Sequence, residues 1–252
     1  MGPATWLRAA LDPALLFGAM GLRADGWQRD AMRREASRVG ILASRQCGKS
    51  TTTALKAIHR ALFYPGSLVL MVAPAERQSL ELLRRATECY HRIGEPVPVV
   101  RELATTLELA NGSRIIALPG DPLTIRCYSG VDMVIVDEAA MVPGDGLFHA
   151  VMPMLATTGG AFWMLSTPMG RRGFYYDTYV SGDPDWAWIV ARATDCPRIP
   201  PGFLEEQRRT LGERWFSQEY MCNFVDTVGA VFGEAMISSM FGDHDAPILE
   251  GF

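Results

Sequence analysis

The sequence predicts an α/β fold, a mainly parallel central sheet flanked by helices with an antiparallel hairpin extension. Short apolar runs rich in β-branched residues alternate with helix-period segments, which is how buried parallel strands and their crossover helices read. One such run leads through Gly-Lys-Ser directly into a helix, and another delivers two adjacent acids at its end. At 252 residues the chain suits one large domain.

In chain order, the apolar opening "ATWLRAALDPALLFGAMGL" is interrupted by Asp12 and Pro13 and has no basic start, so it reads as an amphipathic helix packed on the domain. The expected strands are Val39 to Ala43, Leu68 to Ala73, Met133 to Val136, Ala161 to Leu165 and Trp188 to Ala191. A helix is expected from Lys49 to Phe63, stopped by Pro65-Gly66, and another from Ala75 to Ile93, stopped by Gly94 and Pro96. In "TTLELANGSRIIAL", alternating runs flank Asn111-Gly112, a dipeptide suited to a tight hairpin turn. From Pro200 onward "FLEEQRRTLGERWFSQEYMC" reads as helix, followed by the short run "NFVDTVGAVF" and a polar end.

Composition narrows the classes. No apolar run reaches the roughly 18 residues of a membrane helix. Five scattered cysteines without a CxxC pair favour reduced thiols and no structural zinc. The formal charge of −4 does not mark a nucleic-acid binder, and the adjacent arginine pairs read first as solvated helix faces.

The chemistry concentrates in two stretches. "LASRQCGKSTTT" places Gly48, Lys49 and Ser50 in the pattern GxxxxGK[ST], with Ala43 where the first glycine usually stands. A loop between strand and helix aims backbone N–H groups at phosphate oxygens, and the helix dipole adds to them. Ser44, Arg45, Gln46, Cys47 and Thr51 complete the expected phosphate cradle around these residues. Lys49 then neutralises β- and γ-phosphates and Ser50 ligates Mg²⁺. Arg45 reaches the γ-phosphate or locks the loop through a carboxylate. Cys47 reads as a small tolerated residue or as a thiol activated by the positive field. In "VDMVIVDEAAMV", the strand ends in Asp137 and Glu138, at the sheet edge where α/β proteins bind ligands. Asp137 holds the metal's shell and Glu138 polarises an attacking water, which favours hydrolysis over phosphoryl transfer.

These residues resemble the large terminase subunit of tailed double-stranded DNA bacteriophages. "SRQCGKS" is similar to that family's phosphate loop, "VIVDEAA" to its metal and carboxylate motif, and "GWQRD" to its adenine motif, with Trp27 packing beside the base and Gln28 contacting its edge. "MLSTPMGRRGFYYD" resembles the coupling motif, in which Ser166 and Thr167 sense the γ-phosphate. "TIRCYSGVDMVIVDE" resembles the segment bearing an arginine that reaches a neighbouring subunit, which assigns Arg126 as a finger in trans, although Cys127 stands where glycine is usual.

The resemblance implies a P-loop NTPase of the RecA/ASCE type, with ATP and Mg²⁺ as cofactors. It implies double-stranded DNA, a portal protein and a small terminase subunit as partners, a homo-oligomeric ring, and the host bacterial cytoplasm as location. The expected organisation is an ATPase domain over residues 1–232, with an N-terminal helical region over 1–37 and a tail over 233–252. Glu234, Asp243, Asp245 and Glu250 read as solvated acids in that tail, so no nuclease activity is expected. Arg171 and Arg172, just after the coupling motif, are candidates for touching DNA. Two other readings remain open here: a helicase-like DNA-dependent ATPase, and a nucleotide-binding module that does not hydrolyse.

Overall fold

The computed structural model describes residues 2–225. Its elements run α1 (Pro3–Leu11), α2 (Leu15–Ala19), α3 (Gly26–Arg33), β1 (Arg38–Ala43), α4 (Lys49–Phe63), β2 (Leu68–Ala73), α5 (Glu76–Arg92) and β3 (Val99–Leu103). They continue β4 (Thr106–Leu109), β5 (Arg114–Pro119), α6 (Pro122–Ile125), β6 (Met133–Asp137), α7 (Gly146–Leu155), β7 (Ala161–Ser166), α8 (Phe174–Ser181), β8 (Trp186–Ala191) and α9 (Pro201–Glu219). The eight strands form one sheet in the order β3-β4-β5-β2-β6-β7-β1-β8.

Alternation along each central strand divides the core between the two sheet faces. Ile41, Met71, Ile135 and Trp163 pack on one face with α4 and α5, including Leu55, Ile58, Leu82 and Leu83. Their neighbours Leu42, Leu70, Val134 and Phe162 pack on the other with Leu147, Phe148 and Val151 of α7 and Tyr175 of α8. The result is three layers, helix on sheet on helix, with all six residues of β2 buried. Gly40 in β1 permits a close approach that no side chain would: a Cβ there would lie 2.4 Å from the ring of Trp188 on the neighbouring β8.

Several expectations need correction. The opening is two helices rather than one, because Pro13 has no N–H to donate and Asp12 turns outward, accepting from Ala14 N at 3.1 Å and pairing with Arg33 at 2.7 Å. The strand after Asn111-Gly112, β5, is antiparallel to β4 but parallel to β2, so it belongs to the main sheet; of the eight described strands β4 alone runs opposite, and β3, antiparallel to β4, points the same way as β5. Edge strand β3, together with α6, α7 and α8, adds to the expected elements. Helix α9 is broken at Gly212, whose φ of 77° lies outside helical space. The run "NFVDTVGAVF" lies largely, and the tail over 233–252 with its four acids wholly, outside the described residues. Among the described residues no helix is long and apolar enough to cross a membrane.

Candidate functional site

Pairing of β1 with β7 sets Leu42 beside Ser166, and pairing of β6 with β7 sets Asp137 beside Leu165. The three strands therefore end in line, and their following residues meet at one edge. A cavity of about 510 Å³ opens there, lined by Ser44 through Thr51, Glu138, Met141, Thr167 and, from α5, Gln78 and Arg85.

The loop from Ser44 to Gly48 takes its curvature from two left-handed residues, Gln46 at φ 62° and Gly48 at φ 90°. Left-handed residues of this kind curl the chain so that successive N–H groups converge. Ala43, by contrast, is still in regular strand, fully buried and in register with Ala191. The first glycine of the motif is thus dispensable in this chain, because that position has no positive φ to supply.

Lys49, at the first turn of α4, is buried and folds back over the loop. Its Nζ donates to the carbonyls of Ala43 at 3.2 Å and Ser44 at 3.4 Å and to Thr167 Oγ1 at 2.9 Å. Asp137 ends β6 in a desolvated position that raises its carboxyl to about 6; burial is the main cause, the adjacent Glu138 charge adds to it, and Lys49 opposes. Glu138 has a φ of 50°, a left-handed conformation uncommon for a non-glycine residue. The conformation is braced: Glu138 N donates to Asp137 Oδ1 at 3.0 Å, and Ser166 Oγ donates to Glu138 Oε2 at 3.2 Å. Ser166, the last residue of β7, and Thr167, the next, therefore touch the acid and the lysine respectively.

Two crowded carboxyls with one lysine between them leave a surplus of negative charge that a hard divalent cation relieves. Asp137 and the Ser50 hydroxyl are oxygen donors suited to Mg²⁺, so the residues fit that ion. Among the described residues no cluster of three or more His, Cys, Asp or Glu has the makings of an all-protein metal site. That absence is compatible with an ion held chiefly by water and phosphate.

Three of the expected residues are held by contacts within the chain. Trp27 is packed in the core and Gln28 is 2% exposed, and neither lines the cavity. Gln28 spends its amide locally, Oε1 accepting from Asp25 N at 2.9 Å and Nε2 donating to Thr52 Oγ1 at 3.0 Å. Gln28 is thus held behind the loop, its amide shared between the start of α3 and the first turn of α4. Of the two uses open to Arg45, the geometry displays the lock, an ion pair with Glu219 at the end of α9, supported by Arg45 N donating to Glu219 O at 3.2 Å.

Cys47 contributes backbone to the cradle, while its buried Sγ contacts Ser44 Oγ and Cys196 Sγ. The hydrogen bond with Cys196, helped by Ser44 and nearby Lys49, lowers the Cys47 thiol and raises that of Cys196. Arg126 is exposed just beyond α6 and lines a separate cavity with Tyr128, His149 and Pro153. It does not line its own chain's phosphate-loop cavity. Arg171 and Arg172 are exposed, and Arg171 Nε donates to Phe224 O at 3.3 Å. Sequence reasoning missed Gln78, Arg85 and Glu219, whose places depend on how α5 and α9 dock.

The family model for the terminase large subunit, T4likevirus-type, N-terminal, matches residues 41–239. The chain belongs to this family. The terminase large subunit of Escherichia phage T5 is 34% identical over 134 residues, which is 50% of this chain and 30% of that protein. The terminase large subunit of Thermus phage G20c is 25% identical over 252 aligned residues, covering 86% of this chain and 52% of that protein. The chain thus spans about half the length, or less, of these curated relatives. Among solved structures, the large terminase ATPase domain of Thermus phage P74-26 superposes with a TM-score of 0.73 at 23% identity, over 83% of this chain and 97% of that one. At that identity the likeness shows a shared fold, the α/β architecture of terminase ATPase domains.

Proposed function

We propose that this chain is the ATP-hydrolysing part of a large terminase, using Mg²⁺ and ATP to drive double-stranded DNA into a viral procapsid in the host cytoplasm. The observation that carries the reading is the brace on Glu138: a carboxylate held by Ser166 at the mouth of a cavity whose floor is a lysine-bearing phosphate loop. In this reading Gln46 to Thr51 supply N–H groups to the phosphates, Lys49 neutralises the β- and γ-phosphates, and Ser50 and Asp137 hold the ion. When bound, that ion would supply charge neutralisation on the phosphates. Glu138 orients and polarises the water in line with the γ-phosphorus and accepts its proton. Ser166 keeps Glu138 aimed, and Thr167 links Lys49 to the same turn, so loss of the γ-phosphate is felt directly at the end of β7.

Arg126 is proposed to complete a neighbouring subunit's site within a ring, stabilising charge on the transferred phosphoryl. Arg45 senses the γ-phosphate if it leaves Glu219, while Arg171 and Arg172 face DNA. Residues 1–232 form the ATPase domain, and portal and small terminase subunits are its packaging partners.

The test is the initial rate of phosphate release from Mg·ATP against protein concentration, with Glu138→Gln as the blank. A rate per subunit that climbs with concentration and vanishes in the blank supports hydrolysis completed by a neighbour. Nucleotide binding without phosphate release at any concentration would instead identify a module that does not hydrolyse.

A further inference from the structure

We propose that Arg198 is a positioning residue of the phosphate loop, fixing the direction of the Gly48 N–H by holding the Cys47 carbonyl; the inference rests on the nucleotide-binding reading above. Arg198 lies between β8 and α9, 149 residues after Lys49 in sequence (198 − 49). Its Nη2 donates to Cys47 O at 2.9 Å, and its Nη1 donates to Asp25 Oδ1 at 3.0 Å. Asp25 Oδ2 lies 2.9 Å from Nη2 in an ion-pair contact without a hydrogen bond of its own, so Nη2 gives its hydrogen bond to Cys47 O while the charge rests on a carboxylate whose side chain is only 7% exposed. Asp25 is itself held at the start of α3, its backbone N–H donating to Gln28 Oε1 at 2.9 Å.

A trans peptide unit is planar, and its C=O and N–H point in opposite directions. Cys47 O belongs to the same unit as Gly48 N. Arg198 is not among the residues lining the cavity, whereas Cys47 and Gly48 are. A carbonyl held toward Arg198 therefore turns the Gly48 N–H toward the phosphate space. The next carbonyl is held as well, since Gly48 O accepts from Thr52 N at 3.1 Å and from Thr52 Oγ1 at 3.0 Å, and Gln28 Nε2 in turn donates to that hydroxyl.

The left-handed backbone is what reserves this position for glycine, and the neighbouring side-chain tips lie close as well. A Cβ on Gly48 would lie 2.9 Å from Gln28 Nε2 and 3.4 Å from Arg198 Nη2, at a φ of 90°. Without Arg198 the Cys47 peptide has no charged donor behind it, and glycine on its C-terminal side allows it to rotate. The loop then loses one N–H from its cradle and gains a carbonyl oxygen that repels phosphate.

The experiment compares wild type, Arg198→Ala and Arg198→Lys by calorimetric titration with Mg·ADP, by steady-state hydrolysis of Mg·ATP, and by thermal unfolding without nucleotide. Removing one charge-assisted hydrogen bond predicts binding about 10-fold weaker in Arg198→Ala. KM should rise with little change in kcat, because the N–H serves ground state and transition state alike. Arg198→Lys keeps one donor in place of the fork, so it should fold like wild type and bind at an intermediate strength. Wild-type affinity in both variants overturns the proposal, as does a lowered unfolding temperature with unchanged affinity in the folded protein. A wild-type protein that binds no Mg·ADP overturns the nucleotide reading itself and this inference with it.

Discussion

At the carboxyl ends of the strands lies a cavity of about 510 Å³, and at their amino ends lies one of about 680 Å³; helix α4 sends a lysine into the wall of each. The larger is the quieter. Several charged side chains in its walls are held locally: Lys56 donates to Met32 O at 2.7 Å over the Trp163 ring, Arg60 pairs with Asp132 at 3.0 Å, and Arg33 pairs with Asp12. His59 Nε2 meets the Ala10 carbonyl at 3.2 Å and ties α4 to α1. At the carboxyl end the arrangement is the reverse, with two acids side by side, left-handed Gln46 and Glu138, and a loop curled around open space. Volume does not mark a site here; unresolved charge and strained backbone do, because those are what a ligand relieves.

The sharpest way to break this contrast is to remove each lysine in turn. Lys49→Ala should weaken Mg·ATP binding and turnover by about 100-fold or more, as expected for a charge aimed at phosphate. Lys56→Ala, two turns along the same helix, should leave turnover within about 2-fold and instead lower stability. Nucleotide titration and phosphate release on both variants check this. Equal losses would mean that both ends serve the same chemistry.

A second prediction concerns the quiet end alone. Burial and the neighbouring Lys56 and Arg60 charges hold His59 neutral, down to about 4 from an ordinary 6.5. The unfolded chain therefore binds a proton between pH 6.5 and 4 that the folded chain refuses, and stability is lost as pH falls through that window. By pH 5 the loss is about 2 kcal/mol, on about 1.4 kcal/mol per unit. Lys56, lowered to about 8, adds no slope there, and raised Asp137 slopes the other way. Urea midpoints for wild type and His59→Gln at pH 7 and pH 5 isolate the histidine, with a smaller pH dependence expected in the variant.

The smallest effect should come from Ser166→Ala. It removes one hydrogen bond to Glu138, so kcat should fall about 10-fold while Mg·ADP affinity stays unchanged. An unaltered kcat would show that the left-handed turn alone aims the carboxylate.

Much of this is legible in the sequence because it is local. The strand ends bearing the loop and the two acids, and both boundaries of α4, follow from apolar runs and from Gly-Lys-Ser and Pro-Gly punctuation. What stays hidden depends on contacts between distant parts of the chain. Glu219 meets Arg45 across 174 residues, and Arg198 meets Asp25 across 173. Edge strand β3, "VVREL", is mostly exposed and has no buried face to announce it. Helix α7 carries Pro153 near its end, which disguises a buried segment. Gln28 shows a local and a distant tie at once: its Oε1 accepts from Asp25 N three residues before it, while its Nε2 reaches Thr52 in α4.

The backbone at Glu138 sets folding against function at a single residue. A left-handed conformation costs a side-chain-bearing residue on the order of 1 kcal/mol that glycine would escape. Glu138→Gly would accordingly yield a protein harder to unfold and unable to turn over. Screens that rank variants by melting temperature would favour that form, and if Glu138 is the carboxylate that activates water, as proposed, a copy of this chain released from that task would meet no folding penalty in losing it.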